Sequence, residues 1–165
     1  MIKNNIKGNT QIKIVNYYLL SDLIIKNKIY PFKPEEKDNL IFKVCTLLSW
    51  TEFQHFYNDN IHYIYNFVPY ITNHFNGIEK EKSTRKKIVN LNNLVNSISN
   101  ILKFDKNIVA RIEVIIPTLC YFFIKAKPLN IYKNCKFMKI FLHENKLNMH
   151  FLHILLSTCD VTLET

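Results

Sequence analysis

The chain has 165 residues, enough for one domain that buries a sizeable core. Its hydrophobic content of 48% excludes a disordered tail, and its two glycines and five prolines disfavour a many-stranded sheet with tight turns. A formal net charge of +9 favours nucleic acid or an anionic membrane as partners, but it is more often simply that of a lysine-rich solvated surface. We therefore expect a single all-α domain over residues 1–165.

The first third of the chain predicts two helices followed by an aromatic segment. Asn9 or Thr10 can cap a helix that continues to about Lys28, where the prolines of YPFKPEE end it. A second helix is predicted from Glu35, with acidic residues in its first turn. The segment Trp50–Phe75 is strongly aromatic, and its proline and Asn/Asp cluster predict two short helices there.

The charged segment Asn76–Lys87 is predicted to be a loop because it carries an Asn-Gly turn signal. After it, Ile88–Leu102 has the most regular amphipathic pattern in the chain. Pro128 can start a sixth helix, and a seventh is predicted from about Asn145 to Leu156.

Between these elements lies NIVARIEVIIPTLCYFFIKAK, residues Asn107–Lys127, which is apolar on nearly every side. Such a pattern is typical of a helix surrounded by other helices, although Arg111, Glu113 and Pro117 interrupt it. The fold prediction is therefore an all-α, single-domain bundle of seven to eight helices around this central hydrophobic helix.

Motifs for catalysis are sparse. The chain has no glycine-rich phosphate loop, no G-x-S-x-G and no convincing pair of acidic residues for acid/base work. The sequence therefore predicts that the chain is not an enzyme and uses no cofactor.

Two kinds of binding site are suggested by composition. His150 and His153 are one helical turn apart, but their spacing matches no specific zinc motif, so no metal site is predicted. The lysines are dispersed, and Glu81 interrupts their densest cluster, KEKSTRKK. Nucleic acid is therefore a disfavoured partner, and a basic helical nucleic-acid-binding protein is kept as the alternative from another class.

Four cysteines without C-x-x-C spacing favour a reduced intracellular setting. The first thirteen residues lack the apolar core of a secretory signal, and no run reaches the roughly 18 clean apolar residues of a membrane span. We expect neither a signal nor a span.

Three segments resemble the Bcl-2 family. The run Ile108–Ile116 resembles the family's N-W-G-R signature, keeping the arginine as Arg111 but not the Asn and Trp. Tyr18–Tyr30 is similar to the N-terminal homology helix, and Leu47–Ile61 resembles the third homology helix without its Gly-Asp. The divergence is similar to that of viral members, especially poxvirus ones.

The resemblance implies an inhibitor of apoptosis that binds the BH-3 helices of pro-death proteins in a hydrophobic groove. Arg111 would bind the ligand's aspartate bidentately. The remaining groove residues implied are Phe53, Phe56, Tyr57, Ile61, Ile64, Leu94, Val95, Ile98, Val114 and Ile115.

Pro-apoptotic Bcl-2 family proteins are the partners implied, with the host cytoplasm and the mitochondrial outer membrane as locations. The oligomeric state is left open between monomer and homodimer. The alternative within the family is a protein with a closed groove that modulates innate signalling toward nuclear factor kappa B.

Overall fold

The computed structural model describes residues 35–57, 62–104, 111–142 and 146–164. In these ranges there are no strands, which confirms the predicted all-α class for the part described. The helices are α1 (Glu36–Leu47), α2 (Val68–Lys80), α3 (Thr84–Leu102), α4 (Ile112–Ala126), α5 (Ile131–Phe141) and α6 (Lys146–Glu164), with 3-10 helices at Phe53–His55 and His62–Phe67. The first predicted helix, residues 10–28, lies outside the described residues.

The predicted loop at Asn76–Lys87 is wrong. Its first part completes α2 and its last part begins α3, which leaves a connection of residues 81–83. Gly77 lies inside α2, where an added Cβ would meet the side-chain amide of Asn90 in α3 at 2.8 Å. The Asn-Gly pair therefore continues a helix here instead of forming a turn.

Two other helix boundaries also differ from the prediction. The helix after Pro128 begins three residues later, at Ile131, and α6 continues to Glu164 instead of ending near Leu156. Pro69 lies in the first turn of α2, where a proline has no hydrogen bond to lose, and the 3-10 helix His62–Phe67 ends just before it. The described part of the aromatic segment therefore contains two short 3-10 helices before α2 begins.

The core is centred on the apolar run of α4. This helix packs against α1, α2, α3 and α6. The residues Thr118–Ile124 are all buried, as expected for a segment covered on every side.

A buried carboxylate attaches α1 to the start of α5. Asp38 is 1% exposed, and it accepts hydrogen bonds from the backbone N–H of Glu35 at 3.2 Å, of Tyr132 at 2.8 Å and of Lys133 at 3.3 Å. Burial raises the pKa of Asp38, and these three N–H donors oppose that rise. Because an acid at a helix N-terminus is favourable, Asp38 fixes the docking of α1 on α5.

A buried lysine joins three helices. Lys87 of α3 donates from Nζ to the carbonyl of Ile78 in α2 at 2.6 Å and to Asn134 Oδ1 in α5 at 2.7 Å. Burial lowers the pKa of Lys87 to about 8. The sequence pattern placed this lysine in a solvated loop, so its role in the core was not predicted.

Candidate functional site

The N-terminal end of α4 forms an exposed turn that carries both signs of charge. Arg111 is the N-cap residue, with extended backbone, and its carbonyl accepts from the N–H of Val114 at 3.0 Å and of Ile115 at 2.9 Å. Glu113 follows in the first turn, and both charged residues are exposed. A carboxylate there is favoured by the partial positive charge of the helix N-terminus.

Three half-buried residues, Ile115, Ile116 and Pro117, separate this turn from the core. Pro117 has no N–H to donate to the carbonyl of Glu113, so the helix loses one internal hydrogen bond there. One residue later, Thr118 Oγ1 donates to the carbonyl of Val114 at 2.7 Å and supplies an extra bond to the same turn. Charge and proline occur in this apolar sequence because its first part lies at the surface.

Helix α6 packs against α4. Thr162 Oγ1 of α6 donates to the carbonyl of Thr158 at 2.7 Å, within the same helix. Met149 and Phe151 of α6 are half-buried against the core, while His153 is exposed. The α4–α6 pair therefore offers apolar surface beside ionisable groups.

The cysteines do not supply a nucleophile to this region. All four are buried, and burial raises the pKa of each thiol, to about 11 for Cys120 and to about 12 for Cys45. Because the thiolate is the reactive form, these thiols act as small apolar side chains of the core.

The residues predicted to line a ligand groove have different degrees of exposure. Arg111 is exposed, and Phe56, Tyr57 and Ile115 are half-buried. Ile61 lies outside the described residues. The remaining six are buried: Phe53, Ile64, Leu94, Val95, Ile98 and Val114.

The structure gathers part of this set around Tyr121. The ring of Tyr121 lies 5.5 Å from that of Phe53 and 6.2 Å from that of Phe56, measured between centroids. Tyr121 is ten residues beyond Arg111, about 15 Å along the helix axis. These aromatic residues therefore contact the buried half of α4 and not its charged end. A binding role for the set stays a prediction.

Glu113 received no role from the sequence, although a signal was available. It is the only acidic residue in Asn107–Lys127, and it stands four residues before Pro117. An acid just inside a helix start is a known boundary signal, which would have placed it in an exposed first turn. The resemblance to the Bcl-2 family gave a role to Arg111 and none to this acid.

Comparison with known families identifies a different relative from the one the motifs suggested. The model of the Vacuolar sorting protein 9 (VPS9) domain matches residues 68–164, which run from the start of α2 to the end of α6. Among curated proteins, none matches this chain.

This match overturns the resemblance to the Bcl-2 family. The predicted viral inhibition of apoptosis, the BH-3 ligands, the pro-apoptotic partners and the mitochondrial location were implied by that resemblance and are wrong with it. The two alternatives, modulation of nuclear factor kappa B signalling and nucleic-acid binding, are also unsupported.

The error has a physical reason. Any helix at the centre of a helical bundle needs a long apolar run, so the apolar sequence after Arg111 could not identify one helical family. The residues most specific to the Bcl-2 signature, the Asn and Trp before the arginine, were already missing.

In the described ranges, no helix has the length and apolar character that a membrane span requires.

Proposed function

The chain belongs to the VPS9 domain family, and on that premise we propose that it is a guanine nucleotide exchange factor for a Rab5-like GTPase. The family match over residues 68–164 carries the proposal. The exposed charged turn of α4 lies within the matched segment and supports the choice of contact surface.

The prediction that the chain is not an enzyme is wrong, because a VPS9 domain catalyses nucleotide exchange on Rab GTPases. The prediction relied on motifs for covalent and acid/base chemistry. Exchange breaks no covalent bond, since it only accelerates the dissociation of a bound nucleotide. A protein surface of the right shape and charge is sufficient, and such a surface has no short sequence signature.

Nucleotide exchange can be promoted by a factor whose affinity differs between two states of the GTPase. A factor that binds the nucleotide-free GTPase more tightly than the GDP-bound form lowers the affinity of the GTPase for GDP by the same ratio. In P-loop GTPases, a lysine and Mg²⁺ hold the phosphates, and the switch loops depend on those contacts. A factor therefore has to stabilise the switch loops and the phosphate site when the nucleotide has left.

Glu113 is suited to the phosphate site. A carboxylate can pair with the GTPase lysine or compete for Mg²⁺, and both interactions weaken the hold on the GDP phosphates. Glu113 is exposed at the start of a helix whose other half is anchored in the core. It can therefore be presented to a partner without a rearrangement of its own backbone.

The apolar residues beside Glu113 provide the contact area. Ile115, Ile116 and Pro117 are half-buried, so their free surface can be covered by apolar residues of a switch loop. Arg111 supplies an exposed cation at the same turn, for a carboxylate or carbonyl of the GTPase.

Three further points are part of the proposal. The chain acts in endosomal trafficking, in keeping with its family. Residues 1–165 form one domain, in which α1 and the aromatic segment before α2 support the matched part by packing on it. The count of seven to eight helices around α4 stays a prediction that includes a helix at residues 10–28.

The experiment is a release assay. A Rab5-like GTPase is loaded with fluorescent GDP, excess GTP is added, and the release rate is recorded with increasing amounts of the full chain. We expect the rate to rise with chain concentration for a Rab5-like GTPase and to remain at the intrinsic value for an unrelated Ras-type GTPase. A panel of Rab5-like GTPases that gives no acceleration would refute the proposal.

A further inference from the structure

One side of α5 is basic and open to solvent. Tyr132, Lys133, Lys136, Lys139 and Ile140 lie within about a third of the helix circumference, given 100° per residue. The helix contains no acidic residue. Lys136, Lys139 and Ile140 are exposed, and Ile140 is 57% exposed although it is apolar. We call these five residues the lysine face of α5.

A cleft lies beside this face. It has a volume of about 470 Å³, and α5 lines it with Tyr132, Lys136, Lys139 and Ile140, opposite Leu156 of α6. The Nζ of Lys136 lies 5.5 Å from the centre of the Tyr132 ring. The cleft therefore has an apolar floor and a rim of ammonium groups.

The charge balance around the cleft is positive. Lys37 Nζ lies 4.4 Å from the centre of the Tyr132 ring and belongs to the same surface, where it pairs with Asp160. Lys136 Nζ lies 3.1 Å from Glu35 Oε2. The buried Asp38 of α1, at the start of α5, is a third carboxylate, and Lys133 and Lys139 of the lysine face bring the lysines to four. Lys139 makes no ion pair with any residue in the described ranges.

We infer that the lysine face of α5 binds an anionic phospholipid membrane surface. Its lysines meet lipid phosphates, and their alkyl stems lie along the interface. Ile140 enters the boundary between headgroups and acyl chains, the depth at which amphipathic helices place apolar side chains.

The exposed residues of the face favour a membrane over an acidic helix as the occupant. A groove for a helix needs a row of recessed pockets for anchors at i, i+3, i+4 and i+7. Ile140 borders the cleft together with Lys136 and Lys139, but it is itself 57% exposed and not recessed. An exposed apolar side chain flanked by cations fits a soft anionic surface better than the outside of a folded helix.

This inference goes beyond nucleotide exchange and does not depend on it. The lysine face is on α5, whereas the proposed GTPase contact is the first turn of α4. Membrane binding can therefore fail while exchange in solution persists, and the reverse also holds.

The test is sedimentation of the full chain with phosphatidylcholine vesicles, with and without phosphatidylserine, at low and high salt. We expect binding only to vesicles with phosphatidylserine, and weaker binding at high salt, because exposed charges are screened. The variant Lys136→Ala/Lys139→Ala should bind about 25-fold more weakly, roughly fivefold for each lysine removed near the surface. Ile140→Ser should weaken binding without a change of charge.

The matched control is Lys82→Ala/Lys86→Ala. Both lysines are exposed; Lys82 lies just before α3 and Lys86 lies in its first turn. It should bind like the wild type, and circular dichroism should give the same helix content for all variants. An equal loss in both double variants would mean that net charge alone is responsible and would overturn the inference. The inference also fails if the wild type does not bind phosphatidylserine vesicles, or if it captures a polyglutamate peptide instead of them.

Discussion

In α4, the segment Glu113–Pro117 and the segment Thr118–Ile124 differ in burial, charge and hydrogen bonding, although they share one helix. The first segment carries an exposed carboxylate, two half-buried isoleucines and a proline. The second is buried throughout, and its only charged neighbour in the helix is Lys125 at the end. Lys125 Nζ donates to the carbonyl of Ser49 at 2.8 Å, which fixes that end to the turn after α1.

The difference indicates a division of roles along the helix. The buried segment supplies apolar contacts and determines where the helix lies. The first segment adds Val114 to the core and leaves Glu113 and part of Ile115, Ile116 and Pro117 free to contact a partner. Away from their boundary at Thr118, substitutions in the two segments should therefore have separable effects: on unfolding free energy in one case and on exchange rate in the other.

The largest expected effect is on stability, from Phe123→Ala. Phe123 is fully buried, and its ring lies 5.5 Å from that of Phe75 in α2, edge to face. Removing the ring leaves a cavity, so the free energy of unfolding should fall by about 3–5 kcal/mol. Urea denaturation followed by circular dichroism measures it.

The control for that change is Ile140→Ala, which shortens an apolar side chain that is 57% exposed and should alter stability by less than about 0.5 kcal/mol. Similar losses for both variants would contradict the assignment of Phe123 to the core.

The next effect is on exchange, from Glu113→Ala. The variant removes the carboxylate proposed to compete for the GTPase lysine or Mg²⁺. Because a hydrogen bond to a charged group contributes about 1.5–3 kcal/mol, the GDP release rate should fall roughly tenfold to a hundredfold. The unfolding free energy should stay nearly constant, since Glu113 is exposed.

Glu36→Ala is the matched control, because Glu36 is an exposed acid in the first turn of α1. It should leave the release rate unchanged. If both variants slow exchange equally, the effect comes from net charge and not from a contact at α4.

A smaller effect, of opposite sign, is expected in the buried segment from Tyr121→Phe. The hydroxyl of Tyr121 is buried and has no hydrogen-bond partner within the described ranges. Removing it should stabilise the protein by about 1 kcal/mol. Tyr70→Phe, at a residue that is 52% exposed, is the control and should change little.

The same residue gives a dependence on pH. Burial, together with the nearby Tyr65 and Glu52, raises the pKa of Tyr121 from 10.0 to about 12. The folded form thus keeps its proton at a pH where the unfolded chain has lost it, and stability falls as pH rises between these two values. Tyr121→Phe should lack that alkaline loss. Parallel curves for the two proteins above pH 10 would count against the burial of this hydroxyl.

Periodicity predicted the buried elements of the fold better than its connections. The apolar stripe of Ile88–Leu102 and the apolar run of α4 both correspond to helices, because burial forces apolar residues to repeat at helical spacing. The start of α3 was missed because Lys87 follows other charged residues, a sequence context typical of the surface. The partners of Lys87 are the carbonyl of Ile78, nine residues earlier, and the side chain of Asn134, which is 47 residues later, and no sequence pattern indicates either contact.

Little of the candidate site could be predicted. Arg111 was selected for its charge within an apolar run, and the structure does place it at the surface. Its assigned partner came from a family with a similar central helix, and the match to the VPS9 domain replaced that family. Contact surfaces for protein partners have no fixed residue spacing, so the chemistry of exchange is not recorded in a motif.

An effect on exchange smaller than that of Glu113→Ala is expected at Thr118, at the boundary of the two segments. Its Oγ1 donates to the carbonyl of Val114, next to Glu113 and across the gap that Pro117 leaves in the helix hydrogen bonds. Thr118→Val keeps the shape and removes this bond, so we expect a loss of about 1 kcal/mol in unfolding free energy.

Thr158→Val is its matched control, since Thr158 in α6 is also fully buried and donates to the carbonyl of Ile154 at 2.9 Å. Both variants should lose similar stability, as measured by urea denaturation. Only Thr118→Val should also slow GDP release several-fold, because it loosens the turn that carries Glu113, and positioning errors in a contact site reduce rate. Equal release rates in the two variants would mean that the buried segment does not position the exposed one, and that the two halves of α4 act independently.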